Sequence, residues 1–471
     1  MLSMLCLLYR KCRTLEVVSK APYKRPAKPL YARMWKSSES SCRQLLRPLA
    51  VAWSMMGSFL LLSAGFVVEC GITCAQPLEY LDEFCHPYYP HADFPKLITP
   101  QWVGEEGVEA VVTLGIDDMR DPNAYEAYLR PILDRLKEID GRAPVSIMAC
   151  SLDPQHPQLQ SWLKEGLSIE VHTVDHPCPC LQNQDFAAAK STYDRCVDLM
   201  AAIPGNQPVA FRFPCMDSMN TPSPRAYMEI VNQTTEHGRF LQASSSVMNV
   251  FTSSDREIPV KLTKIAGGKE RFAPYLPFAS FVNTIENYPY PYLIGKLCWE
   301  FPCTVPDDWQ GQNRHSPFSP QIVEDLVAAL EASIAKRGMA NVVFHPHGWI
   351  RAEQMVHVID RLHDKYGRRV KFLTFRECVD RINKYLLLDE PVRGADGEDN
   401  GIRLLDLNND GFMDVLIGND RRQTQRLWKP SESRWLNAPS PLQFTRSGAV
   451  SYTHLRAHET DSYLVCRLLL E

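Results

Sequence analysis

The 471-residue sequence has little excess of charge of either sign, with 51 basic and 55 acidic side chains and a formal net charge of −4. It also lacks a basic stripe, which is the electrostatic footprint of proteins that bind nucleic acid. We therefore exclude nucleic acid as a partner. Apolar residues at 45% and charged residues at 23% are typical of a folded globular protein.

Long apolar runs are scarce, and the clearest one lies at 49–68. Two arginines precede this run, and small residues ending at Ala75 follow it. The layout is typical of a secretory signal peptide that is cleaved before Gln76. The run is also close to the length of a membrane anchor, about 20 residues. We therefore predict an exported protein (periplasmic, cell-envelope or secreted) in which residues 1–75 are an N-terminal extension and a signal peptide or anchor.

Between residues 76 and 389, short β-rich runs alternate with helical patterns. The β-rich runs lie at 109–117, 143–150, 167–173, 208–214, 340–347 and 369–375. The first two are nearly continuous apolar runs, as expected for strands buried on both faces. The helical patterns include 123–140 and 319–338, and in the second of these apolar residues recur every four positions. This alternation predicts a parallel α/β sheet or barrel.

Four of these runs end in groups of residues that include polar or ionisable side chains. They are Asp117 and Asp118, His172 and His176, Arg212 and Pro214, and His345 and His347. Each group has an ordinary explanation, since an Asp pair can cap a helix and a His in an apolar strand is often a core residue. In a (β/α) barrel, however, the active site is built at the carboxyl ends of the strands. The joint occurrence of the four groups therefore favours a shared site.

This ordered set resembles the polysaccharide deacetylase family, which has the NodB-homology domain of carbohydrate esterases. The segments "GIDDM", "HTVDH", "RFP" and "VVFHP" correspond to its Asp-Asp, His-[Ser/Thr]-x-x-His, Arg-x-Pro and final His motifs. The resemblance covers roughly residues 105–385. Met119 and Cys215 depart from the pattern of the family, which leaves the substrate preference open. The resemblance implies an α/β fold, an incomplete (β/α) barrel of the NodB type, across a catalytic domain at 76–389.

The resemblance also implies a metal-dependent hydrolase that removes acetyl groups from a carbohydrate, with an activated water attacking the acyl carbon. Asp118, His172 and His176 are the expected ligands of Zn²⁺ or of another divalent transition metal. Two imidazole nitrogens and one carboxylate oxygen suit a catalytic zinc, which keeps one position for water.

Three further residues have expected catalytic roles. Asp117 is the expected general base, Arg212 holds it ionised, and His345 is the expected general acid. His347 is the alternative general acid. Contacts to the acetylated glycan or related amide substrate are expected from six residues: Pro214, Cys215, Asp308, Trp309, His347 and Trp349. A backbone N–H near Cys215 is expected to stabilise the oxyanion, and Trp349 either stacks on a sugar ring or packs in the core.

Cys178 and Cys180 follow the histidine pair closely but do not read as a zinc knuckle. Their C-x-C spacing is one residue short of the usual C-x-x-C, and no second close pair follows. We expect each to form a disulfide with a distant partner or to remain free.

The C-terminal part has a different pattern after a polar, glycine-rich linker at 390–401. "DLNNDGFMD" places Asp406, Asn408, Asp410 and Asp414 on alternate positions of a loop, as calcium sites require. The segment 402–450 resembles the start of an FG-GAP (VCBS) repeat, which implies a small β fragment, a partial β-propeller blade, that binds Ca²⁺. The alternative is a polar hairpin turn without metal. Residues 451–471 match neither pattern, and we expect them to be a non-native tail.

Two other functions fit the same residues. The first is a cyclic-amide or peptidoglycan-type amide hydrolase on the same fold. The second is a non-catalytic exported protein that binds glycan at a surface. A binding protein needs neither a base nor an acid beside its metal, so Asp117 and His345 favour an enzyme.

Overall fold

The structure is a computed structural model, and it describes residues 96–181, 183, 185–216, 224–276 and 284–445. The predicted signal peptide or anchor and the predicted non-native tail lie outside these residues. Within the described ranges, no helix is both long enough and apolar enough to cross a membrane.

Twelve strands form the first sheet. They are β1 (Ala110–Met119), β2 (Val145–Ala149), β3 (Ser168–Val171), β4 (Ala210–Phe211), β5 (Ala243–Ser244), β6 (Met248–Val250), β7 (Thr284–Glu286), β8 (Tyr292–Ile294), β9 (Cys298–Glu300), β10 (Cys303–Thr304), β11 (Met339–Phe344) and β12 (Val370–Phe372). The α-helices are α1 (Pro122–Asp140), α2 (Pro157–Glu165), α3 (Phe186–Ala201), α4 (Pro224–Ala226), α5 (Val260–Thr263), α6 (Asp308–Arg314), α7 (Pro320–Ala335), α8 (Ala352–Tyr366) and α9 (Phe375–Arg381). Two π-helical turns follow α4 and α9, at Tyr227–Val231 and Ile382–Leu386, and short 3₁₀ turns occupy Ala273–Tyr275 and Gly367–Arg369.

The sheet is parallel except at one edge and it curls on itself. The strand order is β7-β6-β10-β11-β1-β2-β3-β4-β5-β9-β8, and β12 also pairs with β1. Only β8 and β9 pair antiparallel in this sheet, among the strands that the structure describes. β5 and β6 are nearly consecutive in the chain, and they pair with β9 and β10, which are also nearly consecutive. This curled half-barrel fits the incomplete (β/α) barrel of the NodB type that the sequence predicts.

The strands and helices with clear patterns occur where the sequence predicts them. Along β1, nine of the ten positions are buried, which explains its continuous apolar run. Helix α1 begins at Asp121, whose carboxylate accepts hydrogen bonds from the backbone N–H groups of Asn123 and Ala124, and it ends at Gly141 with φ 70°. The strands β5 to β10 contain only two or three residues each, so they carry no periodicity from which they could be predicted.

A smaller antiparallel sheet follows the barrel. It contains β13 (Ile402–Leu405), β14 (Asp414–Gly418), β15 (Gln423–Lys429) and β16 (Arg434–Pro439), paired in that order. Four of its apolar side chains belong to the same hydrophobic core as the barrel: Ile402, Leu404, Val415 and Ile417. A small β unit is therefore present at the predicted place, while its assignment to a propeller blade stays a prediction.

The segment 390–401, predicted as a linker, packs closely on the barrel. Val392 and Arg393 are buried. The guanidinium of Arg393 donates hydrogen bonds to the backbone carbonyls of Leu241 at 3.1 Å and Asn232 at 3.0 Å. The small sheet is consequently held against the barrel by a fixed connection.

Candidate metal centre

Asp118, His172 and His176 converge at the carboxyl ends of β1 and β3. Their ligand atoms all lie within 4.8 Å of one another, and they are the only such group of His, Cys, Asp or Glu in the ranges that the structure describes. Nε2 of His172 lies 3.2 Å from Oδ1 of Asp118, and Nε2 of His176 lies 2.7 Å from the same oxygen. The three residues expected to bind a metal are therefore brought together.

A bulge in β1 turns two consecutive aspartates toward the same point. The register between β1 and β2 shifts between Ile116 and Met119, and Asp118 has a left-handed backbone with φ 67°. Successive side chains of a regular strand point to opposite faces, but a bulge changes their direction. As a result, both carboxylates approach Nε2 of His172. Oδ2 of Asp117 lies 4.0 Å from this nitrogen, and Oδ1 of Asp118 lies 3.2 Å from it.

The orientation of His172 is fixed by the backbone behind it. Its Nδ1 lies 2.9 Å from the carbonyl oxygen of Arg212, and its backbone N–H donates to Ala149 at 3.0 Å. An Nδ1–H that donates to the carbonyl leaves Nε2 as the nitrogen that can bind a metal ion. Such hydrogen bonds commonly orient histidines that bind metals.

The donor set fits a divalent transition metal. Oδ1 of Asp118 is buried without a hydrogen bond of good geometry, although both histidine nitrogens face it. Burial would raise the pKa of Asp118, but the neighbouring imidazoles of His172, His176 and His347 hold that pKa well below its usual range. An ionised carboxylate oxygen and two imidazole nitrogens around one point are the ligands that zinc, iron, cobalt and manganese sites use.

Asp117 lies behind the metal ligands in a buried ion pair with Arg212. The guanidinium of Arg212 is held from the other side, because Nε donates to the carbonyl of Ser245 at 2.8 Å and Nη2 to its hydroxyl at 3.0 Å. Tyr125 donates its hydroxyl to the backbone carbonyl of Asp117 at 2.5 Å. Gly115 leaves the room for this arrangement, since a Cβ there would lie 3.0 Å from both terminal nitrogens of Arg212.

His345 faces the same point from the end of β11 and is held by Asp308. The backbone N–H of His345 donates to Oδ2 of Asp308 at 2.8 Å, and Nδ1 lies 2.8 Å from Oδ1. Burial alone would lower the pKa of His345, but the carboxylates of Asp308, Asp117 and Asp118 raise it to about 9. The raised pKa favours the protonated form of His345, which is the form in which a general acid donates its proton.

The residues predicted to contact the substrate differ in their exposure to solvent. Asp308 was expected to contact substrate, but its side chain is fully buried and it positions His345 instead. Pro214 is buried, whereas Cys215 is exposed and forms a disulfide with Cys178. Trp309 is 49% exposed.

His347 and Trp349 stand beside His345. His347 is 38% exposed, and its Nε2 lies 2.9 Å from Oδ2 of Asp118. Trp349 meets the rings of both His345 and His347 edge-on, with centroid distances of 4.8 and 5.1 Å. Trp349 is therefore packed against the candidate catalytic histidines, while Trp309 presents more of its surface to solvent.

Sequence reasoning missed the polar groups inside the barrel that hold Arg212. Asn341 lies fully buried in β11, and its side-chain carbonyl accepts hydrogen bonds from Thr113 at 3.1 Å and from Arg212 at 3.4 Å. Its amide donates to the hydroxyl of Ser245. An Asn in the otherwise apolar run "ANVVF" was a signal that could have been noticed, whereas Ser245 in "ASSS" had none.

The predicted calcium loop is closed by its own hydrogen bonds. Oδ2 of Asp406 accepts from the backbone N–H of Gly411 at 2.8 Å, and Asp414 accepts from Leu407 at 2.9 Å and from Trp428 at 2.8 Å. Asn408 and Asp410 bond to each other at 3.0 Å. This is how a polar hairpin turn is stabilised, and the calcium site stays a prediction.

Part of the chain is similar to known proteins. Residues 104–246 match a protein-family model described as "Polysaccharide deacetylase". The matched segment contains Asp117, Asp118, His172, His176 and Arg212. Together with the half-barrel, it supports a polysaccharide deacetylase (NodB) domain in the chain, and with it a deacetylase type of hydrolase. No curated protein matches the chain.

Several solved structures resemble the fold at low identity. A Mycobacterium smegmatis chain assigned to the polysaccharide deacetylases is 16% identical with a TM-score of 0.38, covering 61% of this chain and 95% of its own. A family 4 carbohydrate esterase from Streptomyces lividans is 12% identical with a TM-score of 0.31, covering 56% of this chain and 91% of its own. The peptidoglycan deacetylase PdaC from Bacillus subtilis is 16% identical and has a TM-score of 0.32. The match covers 60% of this chain and 99% of the PdaC chain.

Proposed function

We propose that this protein is an exported, metal-dependent hydrolase that removes acetyl groups from a carbohydrate. The observation that carries the proposal is the convergence of three functional groups at one end of the half-barrel. A candidate metal-ligand cluster, a buried ion pair and a histidine paired with a buried carboxylate lie side by side there. The matched family model and the peptidoglycan deacetylase among the similar structures favour an acetylated glycan as the substrate.

Asp118, His172 and His176 would hold the metal ion. When bound, a divalent ion supplies Lewis-acid chemistry, because it acidifies a water and polarises the acyl carbonyl. Asp117 then accepts the proton of the attacking water. The guanidinium of Arg212 holds this carboxylate in place through the buried ion pair.

The second proton transfer belongs to His345. Its raised pKa keeps the imidazolium proton available at neutral pH, and that proton passes to the leaving nitrogen or oxygen of the sugar. Asp308 orients the ring through Nδ1 and so directs Nε2 toward the substrate. In this proposal a backbone N–H near Cys215 stabilises the oxyanion of the acyl group, and the exposed face of Trp309 contacts a sugar ring.

The test is to purify the full chain, measure its zinc content, and assay acetate release. The substrate panel should contain acetylated peptidoglycan, acetylated chitin-type oligosaccharides and O-acetylated xylan. We expect one zinc per chain and acetate release from at least one glycan. Zinc binding without acetate release from any member of the panel would refute the deacetylase function and favour a binding role.

A further inference from the structure

One disulfide joins the two loops that border the metal centre. Cys178 lies two residues after His176, and Cys215 lies three residues after Arg212. The bond spans 37 residues of sequence with a Cα–Cα distance of 5.9 Å. It therefore ties the loop that carries a metal ligand to the loop that follows the buried guanidinium.

The two histidine ligands differ in how they are supported. His172 continues from β3, is 1% exposed, and has its Nδ1 held at 2.9 Å from the carbonyl of Arg212. His176 is in a loop, its side chain is 21% exposed, and its backbone N–H donates to Thr173 Oγ1 at 3.2 Å. The position of His176 thus depends on the loop, and the disulfide is the covalent restraint nearest to it.

Both loops have backbone conformations that need such a restraint. Thr173 and His176 have φ values of 65° and 53°, and Cys215 and Met216 have φ values of 59° and 37°. Left-handed conformations of residues other than glycine persist only where the surrounding structure enforces them. A cross-link between the loops reduces the freedom of both.

We propose that the Cys178–Cys215 disulfide positions His176 in the metal site, and that reduction of this disulfide weakens metal binding. The reductant is a dithiol, which delivers two electrons and two protons. The S–S bond breaks, two cysteine thiols form, and the dithiol becomes a disulfide. The inference rests on the metal-binding role of His176 in the proposed function, but it does not depend on the substrate or on deacetylation.

Exposure makes this bond selectively accessible. Cys178 and Cys215 are both exposed. The other cysteines in the described ranges are buried free thiols, at positions 150, 180, 196, 298, 303 and 378. A soluble dithiol therefore reaches the cross-link at the rim of the site while the described core thiols remain as they are.

The test measures zinc affinity of the full chain by competition with a chromophoric chelator, before reduction and after reduction with dithiothreitol that is then removed under anaerobic conditions. We expect reduction to weaken zinc binding by about 10- to 100-fold, the range that follows from loss of groups that orient metal ligands. Reoxidation should restore the affinity. A double variant, Cys178→Ser with Cys215→Ser, should bind zinc as weakly as the reduced parent and should not respond to dithiol. Serine at these positions also prevents the thiolates of Cys178 and Cys215 from binding zinc.

Cys180→Ala is the matched control, because it removes a buried thiol from the same loop and leaves the disulfide intact. It should respond to dithiol as the parent does. Equal zinc affinity of the oxidised and reduced parent would overturn the proposal, and so would absence of zinc binding in both states. If the double variant does not fold, the zinc affinities of the reduced and the reoxidised parent still test the proposal. A redox-dependent zinc affinity in a protein that releases no acetate would support this inference while refuting the deacetylase function.

Discussion

Arg212 and Asp117 form an ion pair in which both side chains are almost completely buried, beside the three candidate metal ligands. Burying two charges costs free energy unless further hydrogen bonds satisfy them. Here Ser245 holds the guanidinium, and the carboxylate of Asp117 lies 4.0 Å from Nε2 of His172. The pair is therefore fixed next to the candidate metal centre, where Asp117 is the proposed base.

Asp117→Asn should separate the role of base from the role of metal ligand. The amide cannot accept a proton, so we expect turnover to fall by about 100-fold or more while zinc content is unchanged. Loss of the charge partner of Arg212 should also lower the free energy of unfolding by about 3 kcal/mol. His176→Ala should instead lose both zinc and turnover. Zinc content and acetate release of the two variants check the prediction.

Asp175→Asn is the matched control, because Asp175 lies between the two histidines in sequence but pairs with Arg195 at the surface. It should keep both zinc and turnover. Loss of zinc from Asp117→Asn would show that Asp117 is itself a ligand and that the assignment of roles is wrong.

Gly115→Ala should impair catalysis from inside the barrel. The new Cβ would lie 3.0 Å from the terminal nitrogens of Arg212, so the guanidinium must shift away from Asp117. We expect turnover to fall by about 10-fold with zinc retained, and overpacking of this kind typically costs about 1–3 kcal/mol of stability. Acetate release and zinc content measured on the same sample test this. Unchanged turnover would mean that the Arg212–Asp117 geometry is not needed.

Asp308→Asn should change the pH dependence of the reaction. Burial lowers the pKa of His345, and the Asp308 carboxylate is the main group that raises it. Without that charge the imidazolium loses its proton at lower pH, so the alkaline limb of the rate profile should move to lower pH. Zinc content should remain the same. An alkaline limb that stays in place in this variant would exclude His345 as the general acid.

More of the candidate site than of the fold could be predicted from the sequence. The candidate ligand Asp118 lies near the end of β1, and His172 and His176 follow β3. Both strands are among the predicted runs, so this convergence could be expected from the rule that the active site of a barrel lies at the carboxyl ends of its strands. The disulfide partner of Cys178 could not be predicted, because it depends on the path of two loops. The role of Asp308 could not be predicted either, since the strands around it are too short to show a pattern.

Trp309 and Trp349 should give different kinetic effects when they are replaced by alanine. Trp309 is about half exposed, so Trp309→Ala should raise KM by about 3- to 10-fold, as expected for loss of one stacking contact, with kcat little changed. Trp349 packs against His345 and His347, so Trp349→Ala should lower kcat. Steady-state kinetics of both variants on one glycan test this prediction. An unchanged KM for Trp309→Ala would show that Trp309 does not contact the substrate.

The metal-free protein should become less stable as the pH rises from about 5 to 8. Burial raises the pKa of Glu170 to about 7, that of Asp307 to about 7, and that of Asp414 to about 6. These carboxyl groups titrate near 4 to 4.5 in the unfolded chain, so the folded protein binds more protons across this range. Stability falls with rising pH wherever the folded state binds more protons, and we expect a loss of more than about 1 kcal/mol.

Urea unfolding in the presence of a chelator at several pH values measures how the free energy of unfolding changes with pH. Glu170→Gln is the informative variant, because Oε2 of Glu170 accepts from the backbone N–H groups of Val209 and Ala210 and the amide oxygen of glutamine can do the same without ionising. Between pH 5 and 8, the free energy of unfolding of this variant should fall less steeply with pH than that of the parent. Below about pH 4 the sign reverses, since hydrogen bonds from Arg130 and Lys137 lower the pKa of Glu165 to about 2, so that protonation there favours the unfolded chain. A parent protein that gains stability steadily from pH 5 to 8 would contradict the prediction.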